Sequence, residues 1–269
     1  MSDDRKHGLI KVLERGYIYF FYRPRVDETK VAGLNDVERL YMVMETLPQQ
    51  DSAQEERSQD TKFFRLLVIG QKQMPEIRPS GGGQAYWGFV EKVGHSPDEI
   101  AQEFSGKTYQ TKTEGQQTRE PARPIGEGVY DIVEHGDHTD LAYELKLPEH
   151  PGEVQKAFRV REQGCYIFSI KNPEQPSQEG VNFSSEAAHY PKSLQAIFHG
   201  RKWAPVEPPA FLNHQGTQIL LVGAEPNVMK DLGINLEPQL EKEAQDAIFK
   251  DLHLQKSQHP SQGLFKGQW

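Results

Sequence analysis

A hairpin pattern that occurs twice constrains this chain more than any other feature. Residues 16–24 read GYIYFFYRP and are answered by ERLYMVM at 38–44, before Leu47-Pro48. Residues 128–135 read GVYDIVEH and are answered by DLAYELK at 140–146, before Leu147-Pro148. A further apolar run follows each pair, FRLLVIG at 64–70 and YIFSI at 166–170. Short runs rich in aromatic and β-branched residues, bounded by Gly and Pro, are strand signals.

The pattern predicts an α+β fold, mainly antiparallel β, made of duplicated three-strand meanders with about three covering helices. In the first strand Tyr17, Tyr19 and Phe21 share one face, and Ile18, Phe20 and Tyr22 the other. Both faces therefore need cover, and Pro24 ends the ladder. The second hairpin alternates Leu141, Tyr143 and Leu145 with Ala142, Glu144 and Lys146, a strand with one buried face, around a short turn at 136–139. Adding a hairpin strand at 157–160 and the run at 217–224, eight to ten strands are expected.

Helices are expected at three places. At 97–104, Ser96-Pro97-Asp98-Glu99 reads as a capping box. A second helix is placed at 191–199. A third is placed at 237–254, where Leu240, Ala244, Ile248 and Leu252 lie on one side. Polar residues 49–61, the glycine-bearing 77–84 and the stretch 116–128 read as connections. They divide the chain into a first half, 1–115, and a second half, 116–269, or leave it as one compact domain.

The 269 residues carry 31 basic and 39 acidic side chains, a net charge of −8. The basic residues are dispersed rather than gathered on a stripe, so nucleic acid is not an expected partner. Arg15, Arg23 and Arg25 flank Tyr17, Tyr19 and Tyr22, but that arrangement reads as core aromatics with arginines snorkelling at strand ends. No run approaches the ~18 apolar residues of a membrane-spanning helix. The charged residues 1–7 lead into no apolar signal core, and a cytoplasmic location is expected. The one cysteine, Cys165, reads as a small packed residue.

The densest cluster of metal-capable side chains is His135, Asp137, His138 and Asp140, with Asp131 and Glu134 nearby. Imidazole and carboxylate suit zinc or a related divalent ion, and His135, Asp137 and His138 are the candidate ligands. The competing reading is a solvated turn, so the expectation is no cofactor beyond that one divalent metal. A second candidate is the stretch 111–128, where Thr111, Thr113, Arg119 and Arg123 could hold an anion. The favoured reading of the stretch is an inter-repeat linker whose arginines pair with surface acids. GxxxxGK[ST], strand–GxGxxG–helix and GxSxG arrangements are absent from the sequence.

Several phrases taken together carry a resemblance: RGYIYFFYRPR at 15–25, GVY at 128–130 with HGDH at 135–138, LAYELKLP at 141–148, and Phe211 with 219–224. They resemble a family of conserved uncharacterised microbial proteins over nearly the whole length. The resemblance implies one coherent unit and brings no activity or site residue with it.

The functional expectation is a cytoplasmic binding or assembly module without intrinsic catalysis. It would present a β-rich surface to a protein partner or to a second copy. The alternative is a metal-assisted hydrolase acting on an anionic small molecule, with His135, Asp137 and His138 as ligands and Arg119 or Arg123 as clamp. A third reading is an anion-binding protein using the 111–128 stretch.

Overall fold

The computed structural model describes residues 10–47, 62–78, 83–113, 115–176, 186–224, 233, 234, 236 and 247–269. Its strands are β1 (Lys11–Pro24), β2 (Val37–Thr46), β3 (Phe64–Ile69), β4 (Tyr86–Gly94), β5 (Lys107–Thr111), β6 (Gly115–Arg119), β7 (Arg123–His135), β8 (His138–Leu147), β9 (Gln163–Lys171), β10 (Trp203–Pro205) and β11 (Gln218–Gly223). The helices are α1 (Pro97–Phe104), α2 (Glu153–Phe158), α3 (Lys192–Ile197), α4 (Ala247–Asp251) and α5 (Gln262–Lys266).

Eight strands close on themselves in the order β1–β2–β3–β4–β11–β9–β8–β7 and back to β1, each pairing antiparallel. β10 extends the wall by pairing with the end of β9, and β5 and β6 form a separate two-stranded sheet. At the β1–β7 seam Gly16 faces Tyr130 and Gly128 faces Ile18, symmetrically about Tyr17 and Val129.

One continuous cluster takes residues from all eight barrel strands, among them Phe20, Met42, Leu67, Val90, Ile219, Phe168, Tyr143 and Tyr130. Only the concave face of a closed sheet can bring all its strands together, so this face is the barrel interior. It is filled with side chains. Tyr130 and Tyr143 face each other across β7 and β8, and each lies over the glycine opposite it on the next strand. A Cβ at Gly16 would come within 2.6 Å of the Tyr130 ring, and one at Gly164 within 2.5 Å of Tyr143. A bare glycine leaves room for the neighbouring ring, which then covers the exposed backbone.

The outer faces of β1, β2 and β3 are also buried. Tyr19, Phe21, Val43, Leu66 and Val68 pack with Ile100 and Phe104 of α1, Ile248 and Phe249 of α4, Leu252 beyond it, and Leu264 of α5. Each such side chain contributes about 1.5–3 kcal/mol on leaving water. α1 begins as its sequence suggests. Pro97 opens it, and Glu99 reaches back to accept from the backbone N–H of Ser96 at 3.1 Å and of His95 at 3.0 Å.

Two buried arginines hold the barrel to its surroundings. Arg65 donates to both carboxylate oxygens of Glu14, at 2.5 and 2.8 Å, and to Asn213 Oδ1 at 2.7 Å. The Tyr130 hydroxyl adds a bond to Glu14 at 2.8 Å. Burial by itself would lower the pKa of Arg65, yet Glu14 holds it above its ordinary value. Arg23 does not snorkel to solvent. It is fully buried and donates to the backbone oxygens of Glu103, Ser105 and Glu120, tying the end of α1 and the approach to β7 onto β1.

His259 supplies a pH test of the C-terminal packing. It is buried, its Nδ1 lies 2.8 Å from the Ala122 carbonyl oxygen, and burial pushes its pKa below the ordinary histidine value. A histidine depressed in the folded state contributes stability that is present above its unfolded pKa, about 6.5, and lost as pH falls through the lower folded value. Urea melts between pH 7.5 and pH 5, values chosen to bracket about 6.5, should show wild type losing stability faster than His259→Gln. Parallel pH slopes would show that this imidazole protonates freely in the fold.

The structure overturns the α+β expectation. Antiparallel strands dominate, but they close into an eight-stranded barrel, and the described helices run only five to eight residues. The reason lies in β1 and β2. Their two apolar faces do need cover on both sides, but on one side the cover is the opposite wall of the same sheet. Residues 157–160, expected as a strand, instead finish α2, with Arg159 in the left-handed conformation at its C-cap. Val154 and Phe158, four apart, are buried together, and Gln155 donates to the Ile125 and Gly263 carbonyls at 2.7 Å each. Eleven strands are described, because the 107–119 region adds a hairpin of its own. The expected helices at 97–104 and 191–199 correspond to α1 and α3. Of the expected 237–254 helix, α4 falls within the described residues; Leu240 and Ala244, like the polar connection from 49 to 61 and Pro48, lie outside them. Strands from both sides of residue 115 share the one barrel. No described helix is long and apolar enough to cross a membrane, which says nothing about a barrel.

Candidate metal centre

β7 and β8 meet through a two-residue turn, Gly136-Asp137, with His135 directly opposite His138. Gly136 has φ +64 at the first turn position, a geometry glycine adopts without strain. Alternation along β8 then puts His138, Asp140 and Ala142 on one face, and pairing brings His135 to the same face. That face is the outside of the barrel, since Leu141 and Tyr143 point inward while Ala142 packs with Val129, Cys165, Ala224 and Leu236.

His135 Nδ1 lies 3.3 Å from Asp140 Oδ2, and His138 Nε2 lies 3.5 Å from the same oxygen. One ligand atom from each of the three residues falls within 4.8 Å of the others. The imidazoles are partly exposed, with side-chain exposures of 42% and 30%, whereas Asp140 is 1% exposed. Its Oδ1 is buried and has no hydrogen-bond partner among the described residues. Burial raises the Asp140 carboxyl above its ordinary pKa, against the opposing pull of His138 and His135.

Asp137 has another place. Its side chain is fully exposed at the turn and lies 3.2 Å from His138 Nδ1, the ring nitrogen turned away from Asp140. His138 holds its carboxyl below the usual range. Of the sequence-nominated ligands, then, His135 and His138 converge with Asp140, and Asp137 stands behind His138. The i,i+2 spacing of His138 and Asp140 on a strand was the signal for this choice. Asp131 pairs with Arg15 at 3.5 Å, and Glu134 with Lys11 at 3.7 Å. Cys165 is buried, and burial, followed by the nearby Asp140 charge, pushes its thiol well up, favouring the less reactive protonated form.

The four residues nominated for anion binding lie elsewhere. Thr111 ends β5 and its hydroxyl donates to the Gly115 carbonyl at 3.1 Å, and Thr113 is exposed in the turn that follows. Arg119 reaches the Tyr41 hydroxyl at 3.5 Å and Glu38 at 3.8 Å. Arg123 donates to the Thr29 carbonyl at 2.8 Å and lies over the Tyr22 ring, with its Nε buried and unpartnered. Arg123 opens β7 and His135 closes it. Thirteen strand residues separate such ends by roughly 40 Å. An anion held by Arg123 therefore cannot reach an ion held at His135.

Two polar features escaped the sequence reading. A small hollow of about 40 Å³ is lined by Lys171, Pro173, Ala187, Ala188, Gly216 and Gln218. The Lys171 amine donates to the Asn172 and Gln175 carbonyls, and burial lowers its pKa. On the outer wall the buried Tyr19 hydroxyl lies 2.8 Å from Glu45 and 3.1 Å from Asp251, while Glu127 accepts from the Ile248 N–H at 2.8 Å. These bonds dock α4 on the barrel.

No family model matches the sequence, and neither a curated protein nor a solved structure matches the chain. What the coordinates define is a class by architecture: a closed antiparallel eight-stranded barrel with a packed interior, an appended hairpin and a His–His–Asp cluster on its outer wall.

Proposed function

We propose that this protein is a binding module that takes up an extended segment of a partner protein along the outer edge of β5. The observation that carries the reading is the state of that edge. Barrel closure removes the open edges of the strands that take part in it, whereas among the described residues β5 has a strand neighbour on one side only. The β6 side is occupied: Thr118 and Asp27 exchange bonds, at 2.8 Å from the Asp27 N–H and 2.6 Å from the Thr118 N–H. An open strand edge is a ready template for β-strand addition. Lys107 and Lys112 are exposed beside it and favour an acidic segment.

The hairpin can be removed without cutting the barrel. The Ala122 N–H donates to the Phe104 carbonyl at 2.9 Å, so the chain enters and leaves the hairpin at nearly the same point. Deleting residues 107–119 and bridging 106 to 120 with two glycines should leave the melting temperature within a few degrees of wild type. Light scattering with size-exclusion chromatography, coupled to capture from native lysate, should show an associated species for the full chain and its loss on deletion. A strict monomer without a partner, or association that survives the deletion, would reject this reading.

A further inference from the structure

We propose that His135 Nδ1, His138 Nε2 and Asp140 Oδ2 form a three-ligand site for a divalent metal of the zinc class, with its remaining coordination open to solvent. The argument starts from distance. A histidine donating to a carboxylate in a charge-assisted hydrogen bond sits at about 2.7–2.9 Å. The two nitrogens stand instead at 3.3 and 3.5 Å from one carboxylate oxygen. Ligand atoms about 2.0–2.1 Å from a tetrahedral zinc lie about 3.3–3.4 Å from one another. The two separations at Asp140 match tetrahedral edges, while the three ligand atoms together span up to 4.8 Å, so the two partly exposed imidazoles must draw together when a metal binds.

The second observation is the carboxylate itself. Asp140 is 1% exposed, and its other oxygen, Oδ1, has no hydrogen-bond partner among the described residues. Among the described residues the ion-pair partners of this buried carboxylate are two loosely placed imidazoles, and such a group is expensive to keep charged. A divalent cation on Oδ2 supplies the missing compensation. His135 and His138 approach as neutral ligands, each giving the lone pair of the named nitrogen; any proton held there leaves to solvent as the metal binds.

The third observation is the support behind the ligands. A metal-bound histidine commonly donates its other ring N–H to a carboxylate, which fixes its tautomer and orientation. Asp137 stands 3.2 Å from His138 Nδ1, in that position. Two nitrogens and one oxygen suit zinc, cobalt, nickel or copper, while calcium demands six to eight oxygens. Asp140 lies at the floor and the two imidazoles at the rim, so the remaining positions face outward, as in sites that keep water or an external donor.

Protein stripped with chelator and titrated with zinc should bind one equivalent. Cobalt in its place should give the intense visible absorption of four-coordinate Co²⁺. His135→Ala and His138→Ala change partly exposed rings, and circular dichroism checks that both variants fold. Each should weaken zinc binding by more than about 100-fold, beyond the range of an outer-shell loss, and Asp137→Ala by about 10-fold. Asp140→Asn should abolish the cobalt spectrum, and if that variant fails to fold the two histidine variants decide the matter. No binding at micromolar zinc, or binding unchanged in both histidine variants, would overturn the site. The hairpin deletion leaves these residues intact, so the metal and the β5 edge stand or fall separately.

Discussion

Replacing Arg65 with methionine should cost roughly 3–5 kcal/mol of folding free energy, the penalty for stranding one partner of a sealed ion pair. Arg65 is 1% exposed, and its guanidinium is the counter-charge for Glu14 inside one end of the barrel. Removing it leaves a carboxylate whose remaining bond is to the Tyr130 hydroxyl. The double variant Arg65→Met with Glu14→Leu should recover only part of the loss. The uncompensated charge is then gone, but Tyr130 and the Asn213 amide oxygen keep unmet bonds, each costing about 1–3 kcal/mol. Urea denaturation at neutral pH reads the difference as a shift in midpoint at constant slope. A cost below about 1 kcal/mol would match a surface pair and show that water reaches this end of the barrel.

Gly128→Ala carries the second large effect, about 3 kcal/mol or more. A Cβ at Gly128 would stand 2.0 Å from the Glu144 carbonyl oxygen and 2.8 Å from the Leu145 Cα. Both are backbone atoms, so no side-chain rotation relieves the clash and β7 must separate from β8. Those two strands also position the His135–His138 turn, so the variant should loosen the metal cluster while touching none of its residues. Gly33→Ala is the control. Gly33 is extended, at φ 177, and its Cβ would meet nothing within 4 Å. It should change stability by less than about 0.5 kcal/mol. Thermal melts of the two variants separate a packing requirement from a mere preference for glycine; equal melting temperatures would show that β7 and β8 can shift apart at no cost.

How much of this could be read in advance differs from element to element. The cores of β1, β2, β7 and β8 stood out because aromatic and branched residues alternate between Gly and Pro boundaries. α1 was legible to the residue, since Pro97 and Glu99 mark a helix start through local bonds. The β5–β6 hairpin was not. Its residues are polar, and its strand character comes from pairing with itself and from the Asp27 anchor. α2 was misread because Phe158 and Val160 alternate like a strand, while the burial that makes the segment helical comes from Ile125 and Gly263. At the site, both histidines were visible as a cluster. Asp140 rather than Asp137 joins them because the turn is only two residues long, which fixes the face of every side chain after it.

The amino-acid sequence by itself determined where the aromatic and branched barrel strands run and which of their residues share a face, because the pleat repeats every two residues and turn chemistry is local. Which of two apolar faces becomes an interior was decided only in three dimensions. It depends on β1 meeting β7 and β4 meeting β11, pairings between residues more than a hundred positions apart. Closure is a property of the whole ring of strands, which no local run of residues specifies.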